Sequence, residues 1–129
     1  MGPTLGNGKI CYVEMPAVDA AASAAFYETV FEWRIRRRGD GEIAFDDAVG
    51  QVSGTWVQSR PPAKEGLRIY IMVRSVAQAL DAVVANGGAI VLPQTSYGAE
   101  IVASFSDPAG NVLGLYEERT LRTNAAVRD

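Results

Sequence analysis

The chain has 129 residues, 48% hydrophobic and 21% charged, with a formal net charge of −3, enough for one domain with a real core and without the basic bias that nucleic acid demands. No apolar run nears the ~20 residues that span a bilayer, and Met1–Lys9 lacks the apolar stretch of a signal peptide. Histidine is absent and Cys11 is the single cysteine, which removes the commonest metal ligand and general base, excludes an internal disulfide and makes a cytoplasmic location the expectation.

Residues 1–8 carry no periodic pattern and are expected to be flexible. Lys9–Met15 reads as a strand ended by Pro16. Asp19 is placed to cap a helix over Ala20–Phe31, with Ala22, Phe26 and Val30 at helical spacing. Three short strands are predicted next, Trp33–Arg38, Glu42–Asp46 and Gln51–Gln58, separated by turns at 39–41 and 46–50. Arg60–Gly66 is a polar, proline-containing connection, too short for an interdomain linker.

The pattern then restarts. Leu67–Val73 alternates strictly, Ser75 and Gln78 have capping-box form, and a helix carrying Val76, Leu80, Val83 and Val84 stops at Asn86-Gly87-Gly88. Strands over Ala89–Leu92, Glu100–Ser106 and Asn111–Glu117 follow, the last two joined by an Asp107–Asn111 turn held by an Asx-type residue. From Arg119 to Asp129 a polar, flexible tail is expected. Strand, helix and three strands thus occur twice, over about 9–59 and 66–118 of one domain spanning 9–118. Tyr12 matches Arg68 and Trp33 matches Ala89 at the same interval, although side chains barely match between the halves.

Alternation also sorts side chains by face. Leu67, Ile69, Ile71 and Val73 oppose Arg68, Tyr70 and Met72, while Cys11, Val13 and Met15 oppose Ile10, Tyr12 and Glu14. Each strand precedes an amphipathic helix, so the aliphatic faces are expected beneath the helices, with Cys11 an inert buried thiol among them. The mixed faces then look the other way. Tyr12, Glu14, Trp56, Gln58, Arg68, Tyr70, Met72 and Tyr116 have the aromatic and polar composition of a small-molecule groove. A dimer interface or a second hydrophobic layer would have the same composition. Arg68 could clamp a ligand carboxylate or phosphate, or form an internal ion pair with Glu14. The tyrosines could donate hydrogen bonds or simply pack, and Trp56 could stack on a planar ligand or fill core. The run Trp33–Arg38 spreads its arginines over both sides of an edge-type strand, as solvated charge that discourages edge pairing.

Val18-Asp19 with Ala25-Phe26-Tyr27 and Val30-Phe31-Glu32-Trp33, the helix Ala79–Gly88, and Asp107-Pro-Ala-Gly-Asn-Val-Leu-Gly-Leu-Tyr-Glu117 together resemble the vicinal oxygen chelate superfamily of glyoxalases, bleomycin-resistance proteins and extradiol dioxygenases. The resemblance covers Lys9 to Glu118. It implies an α+β fold of two βαβββ modules forming a cupped mixed sheet, and commonly a homodimer. Metal-dependent members place His or Glu on the first, fourth, fifth and eighth strands. The matching positions here are Tyr12, either Trp56 or Gln58, Arg68 and Gly114. Arginine would repel a divalent ion and glycine has no ligand atom, so neither a metal nor any other cofactor is expected. The reading is a protein that binds or sequesters a small apolar or weakly anionic molecule, with no nucleic-acid or membrane partner. The alternative is a lyase, isomerase or dioxygenase using a displaced metal site or metal-independent acid–base chemistry by Glu14 and tyrosines.

Overall fold

The computed structural model describes residues 2–118 and 120–121, and the chain divides into two compact units, Met1–Pro62 and Ala63–Asp129. The expected tail therefore lies, apart from Thr120 and Leu121, outside the described residues. Residues 2–8 contain no helix or strand.

The first unit runs β1 (Tyr12–Pro16), α1 (Ala20–Phe31), β2 (Arg34–Arg37), β3 (Ile43–Asp46) and β4 (Ser53–Val57). Its sheet has the order β1-β4-β3-β2, with β1 parallel to β4 and the other pairs antiparallel. Asp19 caps α1 as its position predicts, accepting from the Ala21 and Ala22 amides at 3.0 and 3.3 Å. The buried stripe of α1 is Ser23, Ala24, Phe26, Tyr27 and Phe31, rotated from the expected Ala22-Phe26-Val30 line. Large aromatic area decides this. Tyr27 stacks on Trp33 with centroids 4.5 Å apart, Trp33 on Phe45 at 4.6 Å, and Phe45 lies 4.7 Å from Trp56.

Register fixes the faces, because residues paired across a ladder point the same way. Val13 pairs with Gly54, Met15 with Trp56, and Phe45 with Gly54 and Ile35, and these form the side beneath α1. Tyr12, Glu14, Ser53, Thr55, Asp46, Ala44, Arg34 and Arg36 form the helix-free side. Cys11 is exposed, contrary to the expected buried thiol. The strand begins only at Tyr12, so Cys11 precedes the paired segment.

The second unit runs β5 (Tyr70–Val73), α2 (Val76–Ala85), β6 (Ala89–Tyr97), β7 (Glu100–Ser106) and β8 (Val112–Glu117), with the sheet order β5-β8-β7-β6 and β5 parallel to β8. Ser75 Oγ accepts from the Gln78 amide at 3.1 Å, and the buried Glu117 carboxylate accepts from the Val76 amide at 2.8 Å, so the first turn of α2 is capped from its own loop and from β8. Val76, Ala79, Leu80 and Val83 are buried, whereas Val84 is exposed. The turn after β7 forms as expected: Asp107 Oδ1 accepts from the Ala109 and Asn111 amides at 3.0 and 2.9 Å, and Oδ2 from Asn111 Nδ2 at 2.9 Å.

Most strands are trimmed at their ends relative to the predicted spans, β1 beginning at Tyr12 rather than Lys9, and two strands of the second unit depart furthest. β5 starts three residues later than Leu67, because the Val112 amide donates to the Ala63 carbonyl at 2.9 Å and the ladder with β8 begins only at the bond from Gly114 N–H to Ile69 O. Leu67 is consequently 97% exposed and no part of an aliphatic face. β6 instead continues through Pro93 to Tyr97, with register shifts either side of Leu92. An edge strand accommodates a residue without an N–H in this way, by bulging rather than stopping.

Candidate functional site

Each unit presents one helix-free sheet face, and the sequence-derived residues distribute unevenly over them. In the first unit Tyr12 and Glu14 point from β1 onto the helix-free side, as alternation predicts. Tyr12 is 45% exposed. Trp56 does not join them. It pairs with Met15, is 4% exposed and packs against Phe45 and Tyr27, with centroids at 4.7 and 6.0 Å. Of the two readings of Trp56, ligand stacking and core filling, the structure has the second. Gln58 falls in the same phase as Trp56, and its Oε1 accepts from the Ala20 amide at 3.3 Å, serving the start of α1. Both line an open pocket of about 480 Å³ beside that helix terminus, with Ile43, Glu42 and Ser59. The pocket lies on the helix side.

Three period-2 arginines occupy the helix-free side instead. Arg36 holds Asp46 through Nε–Oδ2 and Nη2–Oδ1 contacts of 3.0 and 3.1 Å, and Ser53 Oγ donates to Asp46 Oδ1 at 2.6 Å. The Ser53 hydrogen bond, with the Arg36 guanidinium, holds the Asp46 carboxyl below its ordinary value of 3.8 against the opposing effect of burial. A carboxyl depressed in the folded state stabilises above its unfolded value and loses that contribution as pH falls through the folded one. The stability difference between the wild type and Asp46→Asn is thus expected to be largest near neutral pH and to shrink below about pH 4, as measured by urea midpoints across a pH series. A difference that grew on acidification would contradict it. Glu14 pairs with Arg60 at 2.5 Å, not with Arg68. Arg38 Nη2 lies 3.5 Å from the Tyr12 hydroxyl.

In the second unit Tyr70, Met72 and Tyr116 share the helix-free face, since Tyr70 pairs with Gly114 and Met72 with Tyr116. Tyr70 and Met72 are 56% and 57% exposed. The Tyr70 ring covers Gly114, where a β-carbon would collide with it. Tyr116 donates its hydroxyl to Glu100 Oε2 at 2.6 Å, a hydrogen bond that raises its pKa and keeps the phenol protonated, with burial and the Glu100 and Glu118 charges adding to the effect. Arg68 is an exposed residue of the loop before β5, not a mid-strand side chain. Arg34, Arg36, Arg38, Asp46, Ser53, Thr55, Arg60 and Glu100 are polar members of these faces that sequence reasoning did not single out. The alternation of arginines at 34, 36 and 38 is the signal in the sequence for their strand.

The positions at which the superfamily holds metal do not fit one here. Tyr12 contacts a guanidinium, Trp56 is core, Gln58 serves α1, Arg68 sits in a loop, and Gly114 lies beneath a phenol ring. Among the described residues no three Cys, Asp or Glu side chains converge.

Repeated βαβββ units, each with a mixed four-stranded sheet and a helix on one face, define the glyoxalase/bleomycin-resistance/dioxygenase class of α+β protein. A family model described as a glyoxalase-like domain matches residues 12–116. A glyoxylase-like domain-containing protein of Didymella fabae is 28% identical over 115 residues, covering 81% of this chain and 90% of that one. Two proteins of Mycobacterium bovis and Mycobacterium tuberculosis that carry a glyoxylase name are also 28% identical over 115 residues, and this chain spans 44% of their length. Among solved structures, a member of the glyoxalase/bleomycin resistance protein/dioxygenase superfamily from Sphaerobacter thermophilus superposes with a TM-score of 0.71 at 16% identity, over 86% of this chain and 98% of that one. The chain belongs to the glyoxalase-like domain family, within the vicinal oxygen chelate superfamily.

Proposed function

We propose that the chain binds a small apolar or weakly anionic molecule on its helix-free sheet faces without a metal, acting in sequestration or transport rather than metal-dependent turnover. The observation that carries this reading is the solvent-facing set of Tyr70, Met72 and Tyr116 around Gly114. Large apolar side chains that no helix covers lose free energy when a ligand removes them from water, about 25 cal/mol per Å². The absence of histidine from the sequence supports the metal-free part. A homodimer, implied by the family resemblance, and a cytoplasmic location, inferred from the single cysteine, belong to the same proposal.

Isothermal titration against a panel of planar and aliphatic compounds tests it. At least one compound is expected to bind, and Tyr70→Ala to weaken it by about tenfold, the effect of losing roughly 1.4 kcal/mol of buried contact. A panel with no binder would overturn the proposal. One observation favours a second reading, an acid–base lyase or isomerase: the Tyr116 hydroxyl donates to the Glu100 carboxylate, so the pair can act as a base, Glu100 taking the phenol proton as the phenol oxygen takes one from a ligand. Turnover abolished by Tyr116→Phe with binding retained would decide for the enzyme.

A further inference from the structure

The helix-free face of the first unit has an excess of cationic side chains, and its geometry brings two groups together from opposite edges of the sheet. β1 and β2 are the outer strands, with β4 and β3 between them. Strand spacing near 4.8 Å puts their backbones about 14 Å apart in a flat sheet. Tyr12 belongs to β1, and Arg38 continues the β2 ladder through its amide to the Glu42 carbonyl at 2.9 Å. Their side chains nonetheless meet, Nη2 to hydroxyl, at 3.5 Å. The two long side chains lean toward each other across the intervening strands to make that contact.

The charges on the face are not equally satisfied. Arg36 is neutralised by Asp46 and Arg60 by Glu14. Among the described residues Arg38 has no carboxylate partner, although Asp40 and Glu42 follow it in the turn; Asp40 Oδ1 is engaged by the Glu42 amide at 3.0 Å. A guanidinium carries five donors, and the one aimed at Tyr12 makes only a long contact. Tyr12, accepting through its oxygen, keeps its own proton free to donate. The pair therefore offers a charged and a neutral donor, from opposite edges of the sheet, over the helix-free face.

We propose that Arg38 and Tyr12 form an oxyanion site that binds the carboxylate or phosphate group of the chain's small-molecule ligand. The proposal rests on the binding function above and assigns the anionic group to Arg38 rather than to the loop residue Arg68. A planar oxyanion accepts from the guanidinium fork and takes the phenol hydrogen bond, replacing the slack contact between the two side chains with two charge-assisted or near-ideal bonds.

The test is an NMR titration of the full chain at low salt with benzoate, phenyl phosphate, inorganic phosphate and the neutral benzyl alcohol, following backbone amides and the Arg38 Nε–H. Benzoate or phenyl phosphate is expected to bind at least tenfold more tightly than benzyl alcohol and to move the Arg38 Nε–H, with the stronger of the two identifying the preferred anion. Arg38→Gln should remove about tenfold of that affinity and Tyr12→Phe about threefold, as for a charge-assisted and a neutral hydrogen bond. Arg34→Gln, on the same strand face, should change it less than twofold. Equal binding of benzyl alcohol and benzoate would overturn the oxyanion site and leave the small-molecule reading intact. An Arg34→Gln loss equal to that of Arg38→Gln would reduce the site to diffuse surface charge. Binding of inorganic phosphate alone, without any aromatic probe, would support the site and count against the apolar ligand. No binding by any probe would remove both.

Discussion

Gly54→Ala is expected to destabilise the chain by about 3 kcal/mol or more, the upper part of the range for overpacking a closed core. A β-carbon at Gly54 would have to occupy space held by the Val13 carbonyl oxygen and the Phe45 ring. Neither can yield cheaply. The carbonyl belongs to the backbone of the parallel partner strand β1, and Phe45 is buried between Trp33 and Trp56 at 4.6 and 4.7 Å. The alanine therefore requires either separation of β1 from β4 or expulsion of Phe45 from its stack. Gly114→Ala provides the contrast. The three atoms nearest its β-carbon all belong to the Tyr70 ring, and that ring is exposed and can swing away, so the cost should stay near 1 kcal/mol or below. Urea unfolding of both variants at constant m-value measures the difference. Equal costs, or a tolerated Gly54→Ala, would mean that the packing of Phe45 over Gly54 is wrong.

The elements most readable from the sequence are those whose ends are fixed by local chemistry. Asp19 and the 3.6-residue periodicity set α1 over Ala20–Phe31, and Asp107 and Asn111 set the turn before β8, because a side-chain cap or Asx turn depends on residues only a few positions away. Strand alternation was equally reliable for β1, where Tyr12 and Glu14 share a face with water and Met15 the face with α1. It was insufficient for β4. Alternation divides Thr55 and Val57 from Trp56 and Gln58 but does not say which set meets the helix, and residue character pointed the wrong way. The deciding fact is long-range: Trp56 stands beside Met15 in the parallel ladder. A second non-local hydrogen bond, from Val112 to Ala63, draws the chain before β5 out of the sheet and leaves Arg68 in a loop. The link between Arg38 and Tyr12 is hidden from the sequence for the related reason that two strands lie between them.

The placement of Trp56 leads to an expected result opposite to that of a ligand-stacking tryptophan. Trp56→Ala should cost about 3–5 kcal/mol in stability, the range for truncating a buried large aromatic side chain. It is 4% exposed, and its loss would leave a cavity between Phe45 and Tyr27. Trp56→Phe should be far milder. Its indole Nε1 is buried with no hydrogen-bond partner among the described residues, and a buried donor left unmade costs about 1–3 kcal/mol. Phenylalanine removes that penalty while keeping an aromatic ring against Phe45, so the lost volume and the relieved donor should nearly offset each other, to within about 1 kcal/mol. Ligand affinity in Trp56→Phe should be unchanged, because the ring faces α1 rather than the helix-free side that carries Tyr12 and Glu14. Urea midpoints for both variants, read beside titrations of any compound that the panel identifies, separate the two roles. A Trp56→Ala protein that kept its stability but lost its ligand would return Trp56 to a binding surface and reverse the assignment of faces in β4.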